Sequence, residues 1–158
     1  GVMGSAAQQG RTGALNDTVA SDGWNLVTQQ TAEWNSEKAQ QIVQSVIDSG
    51  KSFNVIYAEN DDMAKGAVAA LDKANIPHGV GKDVIVMGFD CNKWALEELL
   101  NQNWNYDGQC NPFQASYIDD IIKKIENGET ISEKTIIMDE KGFDATTITQ
   151  EDVDNYGI

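Results

Sequence analysis

Residues 53–66 read FNVIYAENDDMAKG, and the change of character in the middle of that stretch decides the fold. Phe53, Val55, Ile56, Tyr57 and Ala58 form a short apolar run rich in β-branched and aromatic side chains, which is how a parallel strand covered on both faces reads. Glu59, Asn60, Asp61 and Asp62 then crowd four polar groups into a strand-to-helix turn. Met63, Ala67, Val68, Leu71 and Ala74 recur at helical spacing, with Asp61 or Asp62 the expected N-cap. The unit is strand, turn and helix, with its polar side chains at the carboxyl end of the strand, where open α/β sheets bind ligands.

Downstream the same grammar repeats. The helix is expected to stop at Asn75, before Pro77 and a glycine-bearing loop around His78. DVIVMGF, residues 83–89, is a second buried strand, again ending in a carboxylate, Asp90. Trp94, Leu96, Leu99 and Leu100 mark the next helix, and Trp104–Gly108 a short strand that leads into Gln109, Cys110, Asn111 and Pro112. Phe113, Tyr117, Ile118, Ile121, Ile122 and Ile125 outline a strongly amphipathic helix. Lys134–Met138 reads as a last strand, followed by an acidic, turn-rich tail from Phe143. Upstream, Ala6 to about Ala20 is weakly helical and Trp24–Thr28 is a strand candidate. After a polar loop, Asn35 or Ser36 caps a helix carrying Ala39, Ile42, Val43, Val46 and Ile47 and ending at Gly50. Alternating strands and helices predict an α/β fold, a doubly wound parallel sheet with helices on both faces.

Composition narrows the function. With 158 residues the chain fits one ordinary domain and needs no disulfide staples. Its 25 acidic residues against 11 basic ones give a formal charge of −14, which repels phosphate backbones and anionic lipid. No nucleic-acid partner is expected. No apolar run approaches the roughly 20 residues of a membrane-spanning helix. The opening Gly1-Val2-Met3-Gly4 reads as the interior of a larger protein.

Three strand ends present hydrogen-bonding side chains: Asn60, Asp90 and Gln109. In a right-handed parallel α/β sheet these ends share one edge, so the three groups can converge on one ligand. An amide beside a carboxylate suits vicinal hydroxyls, although polar residues in such places also serve only to cap helices and line loops. Trp34 stands on a polar loop, as a platform for the apolar face of a sugar or as a side chain tucked against the next helix. Arg11 is the only arginine and lies near a helix start, where the helix dipole gives it nothing, so it reads as a ligand contact or a solvated surface residue. Glu59, Asp61 and Asp62 lack the spacing of a calcium loop and read as caps. His78, the single histidine, has no visible catalytic partner. Cys91 and Cys110 each follow a binding candidate at the end of neighbouring strands, which leaves open both a disulfide and two free thiols.

Taken together, these segments resemble the C-terminal lobe of type I periplasmic sugar-binding proteins of the ribose/galactofuranose class, the substrate-binding components of ABC transporters. The likeness rests on GVMGSAAQQGRTGAL at residues 1–15, TAEWNS at 31–36, YAENDDMAKGA at 57–67, VIVMGFD at 84–90 and the QCNP turn at 109–112. The resemblance implies that Arg11, Asn60 and Asp90 bind sugar hydroxyls, that Trp34 stacks on the ring, and that Gln109 supplies a hinge-proximal contact, with Cys110 in its place if the turn aligns one residue later. It implies no cofactor, no metal and no covalent step. Residues 1–111 would be the sugar-binding lobe, 112–138 a helix and strand crossing the hinge, and 139–158 a tail. An N-terminal lobe, and a strand before Gly1, would precede the chain. The Phe113–Ile125 helix would be covered by that lobe, by rearrangement or by a second copy. Expected partners are a monosaccharide and an ABC permease, in an extracytoplasmic setting, periplasmic or lipid-anchored. The rival readings are the effector-binding core of a lactose-repressor-type regulator, which needs a DNA-reading module upstream, and an enzyme on a doubly wound sheet, for which no nucleophile–base pair or phosphate loop is present.

Overall fold

A computed structural model describes residues 1–158. The chain runs α1 (Ala6–Asp22), α2 (Ser36–Asp48), β1 (Val55–Tyr57), α3 (Asp61–Lys73), β2 (Ile85–Asp90), α4 (Lys93–Leu100), β3 (Tyr106–Gln109), α5 (Ala115–Glu126), β4 (Gly142–Asp144) and α6 (Gln150–Tyr156). The strands form one sheet in the order β1-β2-β3-β4. β1, β2 and β3 are parallel, with Tyr57 opposite Met87 and Asp90 opposite Gln109. β4 closes the far edge antiparallel, so the sheet is mixed rather than wholly parallel.

Residues 53–66 fold as strand, turn and helix, but the cap of α3 is Asn60. It sits in extended backbone, φ −160° and ψ 169°, and its Oδ1 accepts from the Met63 amide at 3.0 Å. Asp61 and Asp62 instead occupy the first turn, where the positive end of the helix favours carboxylates.

Alternation along β2 sorts the helices onto two faces. Val86 and Gly88 point toward α3 and α4: any Cβ on Gly88 would lie 2.6 Å from Asp61 Oδ1 and 3.0 Å from the Trp104 ring. Tyr57 and Phe89 point the other way, their rings 5.4 Å apart, toward α1, where the Tyr57 hydroxyl donates to the Arg11 carbonyl at 3.1 Å. The core lies on the α3/α4 face, where Leu71, Val84, Val86, Leu96, Leu99, Trp104 and Val153 are fully buried. α2 packs on α3 closely enough that a Cβ on Gly66 would come within 2.0 Å of the Ser36 carbonyl oxygen.

Three segments depart from the sequence reading. Trp24–Thr28 runs without strand partners, because β1 forms the edge of the sheet and a cavity of about 840 Å³, lined among others by Leu26, Val27, Val43, Phe53 and Ile56, separates the two. Lys134–Met138 is no strand either, and Ile137 is 87% exposed; with no neighbour to bond its backbone, a β-prone run stays a loop. The acidic tail is more regular than its composition implies. It supplies β4 and then α6, whose Thr149 and Asp152 form a reciprocal capping box.

Candidate functional site

The carboxyl ends of β1 and β2 carry the polar cluster, and Arg11 joins them. Its Nη1 donates to the Glu59 carbonyl at the end of β1, and its Nη2 donates to Asp90 Oδ1 at 3.3 Å, at the end of β2. The guanidinium lies 4.7 Å from the Phe89 ring centroid and 6.0 Å from that of Trp34. Such a cation held over aromatic faces keeps a fixed position while its remaining donors stay available. Asn60, the cap of α3, favours the ionised form of the Asp90 carboxylate, so Arg11, Asn60 and Asp90 act together at one edge of the sheet. Trp34 is brought to the same place from the loop before α2. Glu33 and Trp34 both adopt left-handed backbone, φ 55° and 59°, which turns the ring back toward Gly1, where any Cβ would strike it at 2.3 Å.

Asp90 and Cys91 are likewise left-handed, at φ 116° and 60°. Non-glycine residues held this way cost of order 1–2 kcal/mol each and concentrate where a chain is shaped for a ligand. Four of the six fall on Trp34 and Asp90 or directly beside them; the other two, Asn75 and Gln102, follow the ends of α3 and α4.

Gln109 is set apart from this cluster. It faces Asp90 in register, but its Oε1 accepts from the Lys141 amide at 3.2 Å, which ties it to the segment before β4. Cys110 is exposed and free. Cys91 is also free, buried, with its Sγ directed at Asp107 Oδ1 at 3.8 Å. Neighbouring strand ends therefore do not produce a disulfide: the left-handed turn at Cys91 sends its sulfur under the sheet edge while Cys110 faces outward. His78 lies at the opposite, amino end of the strands, bridging to Val84. Its ring bonds Asp72 Oδ1 at 3.0 Å and the Asn103 carbonyl at 2.9 Å, which tie its loop to α3 and to the loop after α4. Phe89 and Thr12 are the residues that sequence reasoning missed. Phe89 supports the Arg11 guanidinium, and its place directly before a strand-end carboxylate was the signal. Thr12, one residue after Arg11, donates its hydroxyl to Glu59 and so anchors α1 on β1.

Burial governs the electrostatics. It pushes the Asp90 carboxyl above its ordinary range, while Arg11 and Asn60 pull it back toward the ionised form. Burial likewise raises the Tyr57 hydroxyl to about 12, helped by the Glu59 charge. Cys91 is pushed far up by burial and by Asp107 and Asp61, so it remains a thiol. No group of three or more His, Cys, Asp or Glu side chains is placed to hold a metal ion. The arrangement offers fixed donors, an ionised acceptor, an amide and an aromatic face, which together suit a neutral polyhydroxylated ligand.

Comparison with known proteins agrees with that chemistry. Residues 1–126 match the family model described as a periplasmic binding protein domain, and the chain belongs to this family. The fructose import binding protein of Bifidobacterium longum is 30% identical over 157 residues, covering 98% of this chain and 46% of that protein. The ribose import binding protein of Bacillus subtilis is 30% identical over 102 residues, 65% of this chain and 31% of that one. Among solved structures, an ABC transporter solute-binding protein from Bacillus halodurans with bound myo-inositol superposes with a TM-score of 0.79 at 25% identity, over 99% of this chain and 51% of that one. The arabinose-transporter component of Shewanella reaches a TM-score of 0.83 at 23% identity, over 93% of this chain and 49% of that one, and shows the shared fold. The chain spans less than half the length of the curated relatives it matches. The family description and the relatives' names are those of binding proteins, and the two relatives are import components.

Proposed function

We propose that this chain forms one wall of a monosaccharide-binding cleft in the solute-binding component of an ABC-type sugar importer. The observation that carries the reading is the convergence of Arg11, Asn60 and Asp90 at the carboxyl ends of β1 and β2, with Trp34 alongside. In this reading Asp90 accepts from two sugar hydroxyls, Arg11 and Asn60 donate to ring or hydroxyl oxygens, and Trp34 lies against the C–H face. Gln109 supplies a contact from β3 once its bond to Lys141 is exchanged. Relatives named for ribose and fructose import, and a neighbour holding D-allose, support a pentose or hexose as the ligand.

One wall binds weakly by itself. Closing a second lobe over the ligand excludes water and strengthens each hydrogen bond, and the closed form is what a permease would receive. The apolar stripe of α5 and the slot between β1 and Trp24–Thr28 are the surfaces that the other lobe and an added parallel strand would cover. An extracytoplasmic location follows from this role. The test is thermal-shift measurement on the full-length protein against D-ribose, D-fructose, D-galactose, D-allose and L-arabinose. One sugar is expected to raise the melting temperature, and Asp90→Ala and Asn60→Ala are each expected to abolish the rise. A flat response across the panel overturns the proposal.

A further inference from the structure

Directly beneath the strand-end wall lies a pair of carboxyls that the binding chemistry does not use. Asp61, the first residue of α3, and Asp107, in β3, are both fully buried, at 0% exposure. Asp61 Oδ2 accepts from the Asn92 backbone amide at 2.8 Å and from its side-chain amide at 3.1 Å. Asp107 Oδ1 accepts from Cys91. Each carboxyl then has one oxygen left over, Asp61 Oδ1 and Asp107 Oδ2, and neither meets a donor in the protein.

The two carboxyl side chains are neighbours. Asp61 Oδ1 rests against the Cα of Gly88, where a Cβ would be only 2.6 Å away, and Gly88 stands opposite Asp107 in the β2–β3 register. Side chains opposite each other in register share a face of the sheet, so both carboxyls occupy the space above Gly88, within hydrogen-bonding reach of one another. The titratable groups facing the pair are Asp90 and Cys91 at the end of β2; no cation is among them, since Arg11 is engaged by Asp90 and the Glu59 carbonyl. Two buried carboxylates cannot both stay ionised at hydrogen-bonding distance without a counter-charge, whereas one proton between them satisfies both orphan oxygens.

We propose that Asp61 and Asp107 hold a single shared proton, and that this carboxyl–carboxylate clasp fixes the strained Asp90–Cys91–Asn92 corner and so positions Asp90. Asp61 grips the corner through Asn92 and Asp107 grips it through Cys91, while the proton ties the two grips together. Because Asp61 directly follows Asn60, the clasp also couples the ends of β1 and β2. Loss of the proton at alkaline pH places two charges in one buried space and releases the corner. Both carboxyls titrate above their ordinary range, burial being the leading cause. The native state therefore keeps a proton that the unfolded chain has already released, and stability falls as pH rises through neutrality.

The consequence for Asp90 rests on the sugar-binding reading, but the shared proton does not, and it is read without sugar. Infrared spectroscopy of the full-length protein at pH 7 is expected to show a protonated carboxyl C=O band, shifted in D₂O and lost in both Asp107→Asn and Asp61→Asn. The wild-type melting temperature is expected to fall between pH 5 and pH 9, with the slope flattened in Asp107→Asn, whose amide can donate to Asp61 without a titrating proton. Exchange of the Asn92 backbone amide, corrected for its intrinsic pH dependence, is expected to accelerate in the wild type over the same range and to stay slow in Asp107→Asn. Absence of the wild-type band overturns the proposal without recourse to any variant, as does a pH slope that persists in Asp107→Asn.

Discussion

Two flanks of this molecule carry apolar helices of similar length, and only one of them is covered. On the α3/α4 side, Leu71, Val86, Leu96, Leu99 and Trp104 are fully buried, and the polar residues at the strand ends are held by directed bonds to α1 and to one another. On the α5 side, no residue of the helix is buried; Phe113, Ile118, Ile122 and Ile125 are 67%, 52%, 48% and 59% exposed. Both helices have the apolar spacing of amphipathic elements. The difference teaches that such spacing specifies a face but not its cover. The proposed binding wall is built where the cover lies within this chain. The α5 stripe is left exposed within this chain, and the proposed function assigns its cover to a second lobe.

The comparison would break most visibly in the core beneath the wall. Leu96→Ala, at a fully buried position of α4, is expected to lower the stability of the folded chain by about 2–5 kcal/mol, since it removes transfer energy and leaves a cavity among close-packed neighbours. Chemical denaturation measures it. A loss below about 1 kcal/mol would show that this flank is no better packed than the other.

Next in size is the wall itself. Asp90→Ala in the full-length protein removes a charged acceptor worth roughly 1.5–3 kcal/mol, so sugar affinity by calorimetry is expected to fall roughly tenfold to a hundredfold or more. Asn60 sharpens the point because it has two duties. Asn60→Ala is expected to cost about 0.5–2 kcal/mol of stability as a lost helix cap, and to weaken sugar binding as well. Asn35 caps α2 in the same manner, accepting from the Lys38 amide at 2.8 Å, but it makes no bond to Arg11 or Asp90. Asn35→Ala should therefore cost similar stability and leave sugar affinity unchanged. Equal loss of affinity in the two variants would mean that Asn60 acts only through its helix.

How far the sequence could be read follows the same division. β1, β2 and α3 were legible because local signals agree: an apolar run, a polar turn, then helical spacing closed by Asn75 at φ 55°. The wall was legible because Asn60 and Asp90 end adjacent parallel strands, and right-handed crossovers bring those ends to one edge. Where pairing depends on distant chain, the reading failed. Trp24–Thr28 has strand composition but faces a cavity rather than a neighbour, and Lys134–Met138 is β-prone with no strand beside it. β4 is only three residues of Gly142, Phe143 and Asp144, and it exists because β3 offers a free edge. α6 carried a legible signal in Thr149 and Asp152, spaced as a capping box, hidden by its acidic surroundings. The buried partnership of Asp61 and Asp107 had no signature, since it arises from sheet register and from the missing side chain at Gly88.

The smallest effect gives the sharpest test of the uncovered flank. Ile122 is 48% exposed on α5, so Ile122→Ser in the 158-residue chain is expected to change stability by no more than about 0.5 kcal/mol. In the full-length protein the same change should cost more than 1 kcal/mol, because a covered isoleucine loses about 25 cal/mol for each Å² of apolar surface withdrawn and the serine hydroxyl enters an apolar contact. The contrast between the two backgrounds, measured by denaturation of each, isolates what the cover contributes, since the helix is the same in both. A cost that is small in both would leave α5 as a solvent-facing helix, and the asymmetry between the flanks would then be a property of the whole protein rather than of an interface awaiting its partner.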